Sequence, residues 1–105
     1  MVVGCRTGPI NLRVEYMSVD EILAEASELL DKARKLPKDL RIVFEYFYKN
    51  VSVGDLRALK ELERLGVRDP QEKIDALIEM GLLERGHDCY NLAPPLREYI
   101  FRRGR

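Results

Sequence analysis

Tryptophan is absent from this 105-residue chain, histidine occurs once, as His87, and cysteine twice, as Cys5 and Cys89. Two cysteines so far apart are too few for a disulfide scaffold and form no close pair of the zinc-binding kind. Two free thiols in a reducing cytoplasm are the expectation, with a Cys5–Cys89 bridge as the alternative. A Cys5/His87/Cys89 set completed by a carboxylate has no ligand spacing behind it, so neither metal nor cofactor is expected. One histidine, with no carboxylate and nucleophile spaced around it, also argues against an enzyme. No apolar run approaches the roughly 18–20 residues that span a bilayer. Met1 to Cys5 lack a positive cluster followed by an apolar stretch, so no signal peptide is expected and the location implied is cytoplasmic. Net charge is missing too: 18 Lys and Arg stand against 18 Asp and Glu, for a formal charge of +0. Proteins that live on nucleic acid usually carry a basic excess, because neutralising phosphates drives their affinity. Amides are scarce, limited to Gln71, Asn11, Asn50 and Asn91. With abundant Arg, Glu and Leu, that balance is thermophile-like.

What is present suits one small folded domain. Hydrophobic residues make up 46% of the chain and charged residues 34%, which excludes a disordered tail. Charge is segregated along the chain: Asp20, Glu21, Glu25 and Glu28 stand together without a base, and Arg97, Arg102, Arg103 and Arg105 crowd the end. Residues 1–16 read as an arm or edge strand, and Met17 is a second possible translation start. Ser18 and Glu21 then form a capping box. Apolar positions recur at Val19, Ile22, Leu23, Ala26, Leu29, Leu30, Ala33 and Leu36, one face of a long amphipathic helix within residues 17–36. Pro37 ends it.

The remaining segment, 37–105, carries four further helices and a hairpin. Leu40, Val43, Phe44 and Phe47 at i, i+3, i+4 and i+7 predict a central helix. Val51-Ser52-Val53 suits a brief strand, with Ser52 capping a third helix through Leu56, Leu59, Leu62 and Leu65 that stops at Gly66. Asp69 is the expected N-cap of a fourth helix, with Pro70 at its first position and Glu72 completing the cap. Ile74, Leu77 and Ile78 face inward, and Gly81 terminates it. Two apolar runs around Gly86-His87-Asp88 predict a hairpin over Leu82–Leu92, and Pro94-Pro95 opens a closing helix. The expected core is Leu40, Val43, Phe44, Phe47, Leu56, Leu59, Ile74, Leu77 and Leu83.

From Lys38 to Leu92 this order resembles a winged helix-turn-helix, as in small prokaryotic and archaeal DNA-binding regulators. Ile74-Asp75-Ala76-Leu77-Ile78-Glu79-Met80-Gly81-Leu82-Leu83-Glu84-Arg85 is similar to the family's passage from reading helix to wing, and Tyr90-Asn91-Leu92 before proline to its return strand. The resemblance implies a mainly α fold with a small β-hairpin wing, here with an extra long N-terminal helix. It implies that the third helix supports and the fourth reads the major groove. By position the DNA-contact candidates are Arg68, Gln71 and Lys73 on the reading helix and its approach. Arg85 and His87 belong to the wing, and Arg102, Arg103 and Arg105 to the tail. Gln71 suits adenine, Arg68 guanine or phosphate, and Lys73 phosphate. Asp69, Glu72 and Asp75 on the same helix repel phosphate, and the third helix is about a turn longer than the family's usual one.

Two functional classes therefore compete. One is a transcriptional regulator binding duplex DNA as a homodimer. The alternative is a winged-helix protein–protein interaction module inside a larger complex, without DNA contact. The long first helix, about five turns, either covers the domain or pairs with its twin. Dimerisation is the favoured reading, through Val19, Ile22, Leu23, Ala26, Leu29, Leu30 and Ala33.

Overall fold

The computed structural model describes residues 18–102. Among the described residues five helices and three strands follow one another: α1 (Val19–Arg34), α2 (Lys38–Asn50), β1 (Ser52–Gly54), α3 (Asp55–Arg64), α4 (Pro70–Glu79), β2 (Leu83–Gly86), β3 (Cys89–Leu92) and α5 (Pro94–Arg102). The architecture is mainly helical with a small antiparallel sheet in the order β1-β3-β2. The arm over 1–16 and the arginines Arg103 and Arg105 lie outside the described residues. Among those described, no helix is long and apolar enough to cross a membrane.

Local chemistry sets most of the boundaries. The Ser18 hydroxyl accepts from the Glu21 amide and the Glu21 carboxylate accepts from the Ser18 amide, closing the capping box at the start of α1. Gly66 (φ +90°) and Gly81 (φ +81°) end α3 and α4 in the left-handed region, where a side chain would be strained. Two expected caps are corrected. Ser52 lies on β1, and the residue before α3 is Gly54, which offers no side chain. Asp69 does precede α4, but it sits in the left-handed conformation (φ +47°, ψ +59°) and its carboxylate makes no cap bond.

The core gathers around α2. Val43 and Phe47 are wholly buried, Phe44 nearly so, and Phe47 meets Tyr90 of β3 edge-on at 6.3 Å. Ile74 and Leu77 of α4, Leu62 of α3, and Leu82, Leu83 and Leu92 around the hairpin close the interior. Leu40 and Leu59 are half-buried at its margin. Leu56 is a correction: it is 72% exposed. Leucines three apart step about 60° round a helix each time, so the run from Leu56 to Leu65 sweeps across α3. Ala58 and Leu62 take the buried side instead.

α1 lies against α5 and α2. Ile22, Ala26 and Ala33 are buried there, Leu29 and Leu30 partly, whereas Val19 and Leu23 remain exposed. Most of the stripe expected to face a second chain is thus spent within this one. In the sheet, Ser52 pairs with Asn91 and Val53 with Tyr90, while Leu83, Glu84 and Arg85 pair with Leu92, Asn91 and Tyr90. Cys89 is disulfide-bonded, which corrects the free-thiol expectation for it. Cys5, the other cysteine of the chain, lies outside the described residues.

Candidate functional site

The face that sequence reasoning singled out is built from α3, the turn through Gly66, α4 and the hairpin. Its side chains are engaged in ways that periodicity does not show. The Tyr90 hydroxyl donates to Gln71 Oε1 at 3.1 Å, and Gln71 Nε2 donates to Asp75 Oδ1 at 3.0 Å. Both ends of the amide that would pair with adenine are therefore held by the protein itself. Lys73 has a side chain only 21% exposed and lies 4.0 Å from Glu72. Arg85 sits over the Tyr90 ring, 5.6 Å from its centroid, a contact that restrains its guanidinium. His87, at the wing tip, is solvated beside Asp88 at 3.6 Å. Arg68 is exposed in the turn before α4. Arg102 closes α5, and Arg103 and Arg105 lie outside the described residues.

What the fold brings together here is acidic. An open groove of about 530 Å³ runs between α3 and α4, lined by Leu59, Glu63, Asp69, Pro70, Gln71, Glu72 and Asp75. Four carboxylates line its walls, and Lys73 answers only Glu72. They do not converge: among the described residues no three acidic, histidine or cysteine side chains cluster in a metal-holding arrangement. Asp69, Glu72 and Asp75 were visible in sequence as acids on the approach to α4. Glu63 and the exposed leucine two turns before it, Leu56, were not. Their only signal was the i, i+3, i+7 spacing of Leu56, Leu59 and Glu63, which puts the three on one face of α3.

Behind this groove, α3 is tied to α2. The Tyr46 hydroxyl donates to Glu61 Oε1, and Arg57 lies 3.4 Å from the same carboxylate. Burial first, then the hydrogen bond to Glu61 and its negative charge, push the Tyr46 phenol well above the ordinary tyrosine value. The hydroxyl bond in turn holds the Glu61 carboxyl below its usual range, assisted by Arg57. A second groove, about 400 Å³, opens between α1 and α2 over Leu30, Ala33, Phe44 and Tyr48 and is rimmed by Arg34, Arg41, Glu45 and Lys49.

A search of curated proteins returned no match. A family model does match: PolB1 Binding Protein 2, over residues 37–98. That span runs from the start of α2 into α5 and includes both walls of the α3–α4 groove. Because it takes in more than half of the 105 residues, the chain belongs to the PolB1 Binding Protein 2 family.

Proposed function

We propose that this protein is a non-catalytic interaction module that binds a polymerase, PolB1, on a winged-helix-like scaffold. The scaffold reading is supported by the element order helix, helix, strand, helix, turn, helix, hairpin. The partner is the one in the family's name. The observation that carries the choice of protein over DNA is the acidic α3–α4 groove, with Gln71 bonded at both ends of its amide.

Magnitudes explain why this matters. A carboxylate about 10 Å from a phosphate costs only about 0.4 kcal/mol in water, and salt screens more than half of that away. Repulsion alone would not forbid DNA. What fails is the attraction: duplex affinity comes from neutralised phosphates and specificity from free base-reading groups. Here the chain has no net positive charge, Lys73 is half-buried beside an acid, and the Gln71 amide is already braced by Tyr90 and Asp75.

The test pairs two measurements on the full chain. Size-exclusion chromatography with PolB1 from the same organism should give a stable complex. Electrophoresis with random duplex DNA at about 50 mM salt should give no retardation. Retarded DNA together with no polymerase complex would overturn the reading and restore a DNA-binding regulator.

A further inference from the structure

We propose that the α3–α4 groove is the polymerase-docking surface, and that its occupant is a basic amphipathic segment of the polymerase. An apolar side chain of that segment meets Leu56 and Leu59, and its Lys or Arg residues meet Glu63, Asp69, Glu72 and Asp75. This rests on the polymerase-binding reading above and adds where, and through what chemistry, the contact is made.

Three observations on this face converge. The first is charge. The groove carries four carboxylates, and Glu63 and Asp69 have no ion-pair partner among the described residues. The second is apolar exposure on the same face. Leu56, 72% exposed, is the most open large hydrophobic side chain among the described residues, and it sits one turn from the groove-lining Leu59. An exposed leucine on the α3 face that also carries Leu59 and Glu63 is complementary to an apolar side chain accompanied by bases. Burying such a leucine removes apolar surface from water and so favours association. The third is position. Both walls of this groove lie within residues 37–98, the span shared with the family.

The groove between α1 and α2 fits less well. Leu30, Ala33 and Arg34 come from outside the shared span. Its rim arginines are also already matched, Arg34 with Asp31 at 3.2 Å and Arg41 with Glu45 at 3.8 Å. A rim neutralised by its own acids selects no partner charge. The α3–α4 groove does select one, and the charge it selects is positive.

The experiment is a binding titration of the full chain against PolB1 from the same organism. It compares wild type, Leu56→Ser, the double variant Glu63→Lys/Glu72→Lys, and Arg34→Glu/Arg41→Glu in the other groove. All substituted side chains are exposed, and circular dichroism confirms folding before each titration. Leu56→Ser and the double acid reversal should each weaken binding at least tenfold, while the arginine reversal stays within about twofold. Raising salt from about 50 mM to about 500 mM should weaken the wild-type complex, a readout that stands even if a variant misfolds. If wild type binds and the groove variants bind equally well, or the complex is indifferent to salt, this docking surface is wrong and the polymerase-binding reading survives. If wild type does not bind PolB1, both fall.

Discussion

Tyr46 and Glu61 show how single side chains set the stability of this fold. Their bond joins α2 to α3, and each partner shifts the other's ionisation. Glu61 is held below its ordinary value, so its contribution is present at neutral pH and is lost as pH falls through the lowered folded-state value. Tyr46 is held above its ordinary value. Its contribution is therefore intact below about pH 10 and declines as pH climbs toward the folded-state value. Tyr46→Phe should abolish the tyrosine dependence and weaken that of Glu61, which Arg57 continues to support. Urea midpoints at about pH 3, 7 and 10 check this: the difference between variant and wild type should be largest near pH 7 and shrink at low pH. An equal difference at about pH 3 and pH 7 would mean the bond does not control Glu61. Gln71 makes the parallel point between elements, since its bonds to Tyr90 and Asp75 brace α4 against β3.

At the scale of elements, α1 decides how much of the molecule is available to partners. Ala26 is wholly buried and Leu23, three residues earlier, is 44% exposed. The small alanine suits the close approach of α1 to the rest of the chain. A carboxylate at position 26 would be buried without a partner, at a cost of several kcal/mol. The same change at position 23 reaches water and should cost within about 0.5 kcal/mol. Thermal unfolding of Ala26→Glu and Leu23→Glu separates the two, with a large drop in melting temperature only for Ala26→Glu. If both variants unfolded alike, or neither did, the placement of α1 over α5 would be wrong. Val51 is a second element-scale feature: a β-branched residue with φ +66° where α2 gives way to β1. Strain at such a residue is about 1–3 kcal/mol, and the corner it makes lets the Val51 carbonyl accept the Leu92 amide at 2.7 Å, linking this corner to the end of β3.

Across the whole molecule, charge separates the two functional classes. A formal net charge of +0 leaves no general attraction for phosphate, and the α3–α4 face opposes it locally. Reversing that face should therefore create what wild type lacks. In Glu63→Lys/Glu72→Lys each replacement adds two charges to the starting +0, for about +4 concentrated beside α4. That variant should retard random duplex DNA weakly at about 50 mM salt, with a log–log salt slope of roughly −2 to −4, while wild type does not. A variant as silent as wild type would mean that the α4 face cannot approach a duplex at all.

By itself the sequence determined the order of elements, most helix ends and the heart of the core, because these follow from interactions within a few residues. The Ser18–Glu21 box, Gly66 and Gly81 are such signals, and the i, i+3, i+4, i+7 spacing of Leu40, Val43, Phe44 and Phe47 placed α2 at the centre. The tertiary structure alone decided what depends on residues distant in the chain. The pairing of β1 needs Ser52 beside Asn91, the holding of Gln71 needs Tyr90, and the burial of Ala26 needs α1 against α5. The exposure of Leu56 was set the same way, since which side of α3 meets the core depends on α2 and α4 rather than on the leucine repeat. The acidic groove is the sum of these choices: residues 59 to 75 hold its charges, and only the angle between two helices makes them one surface.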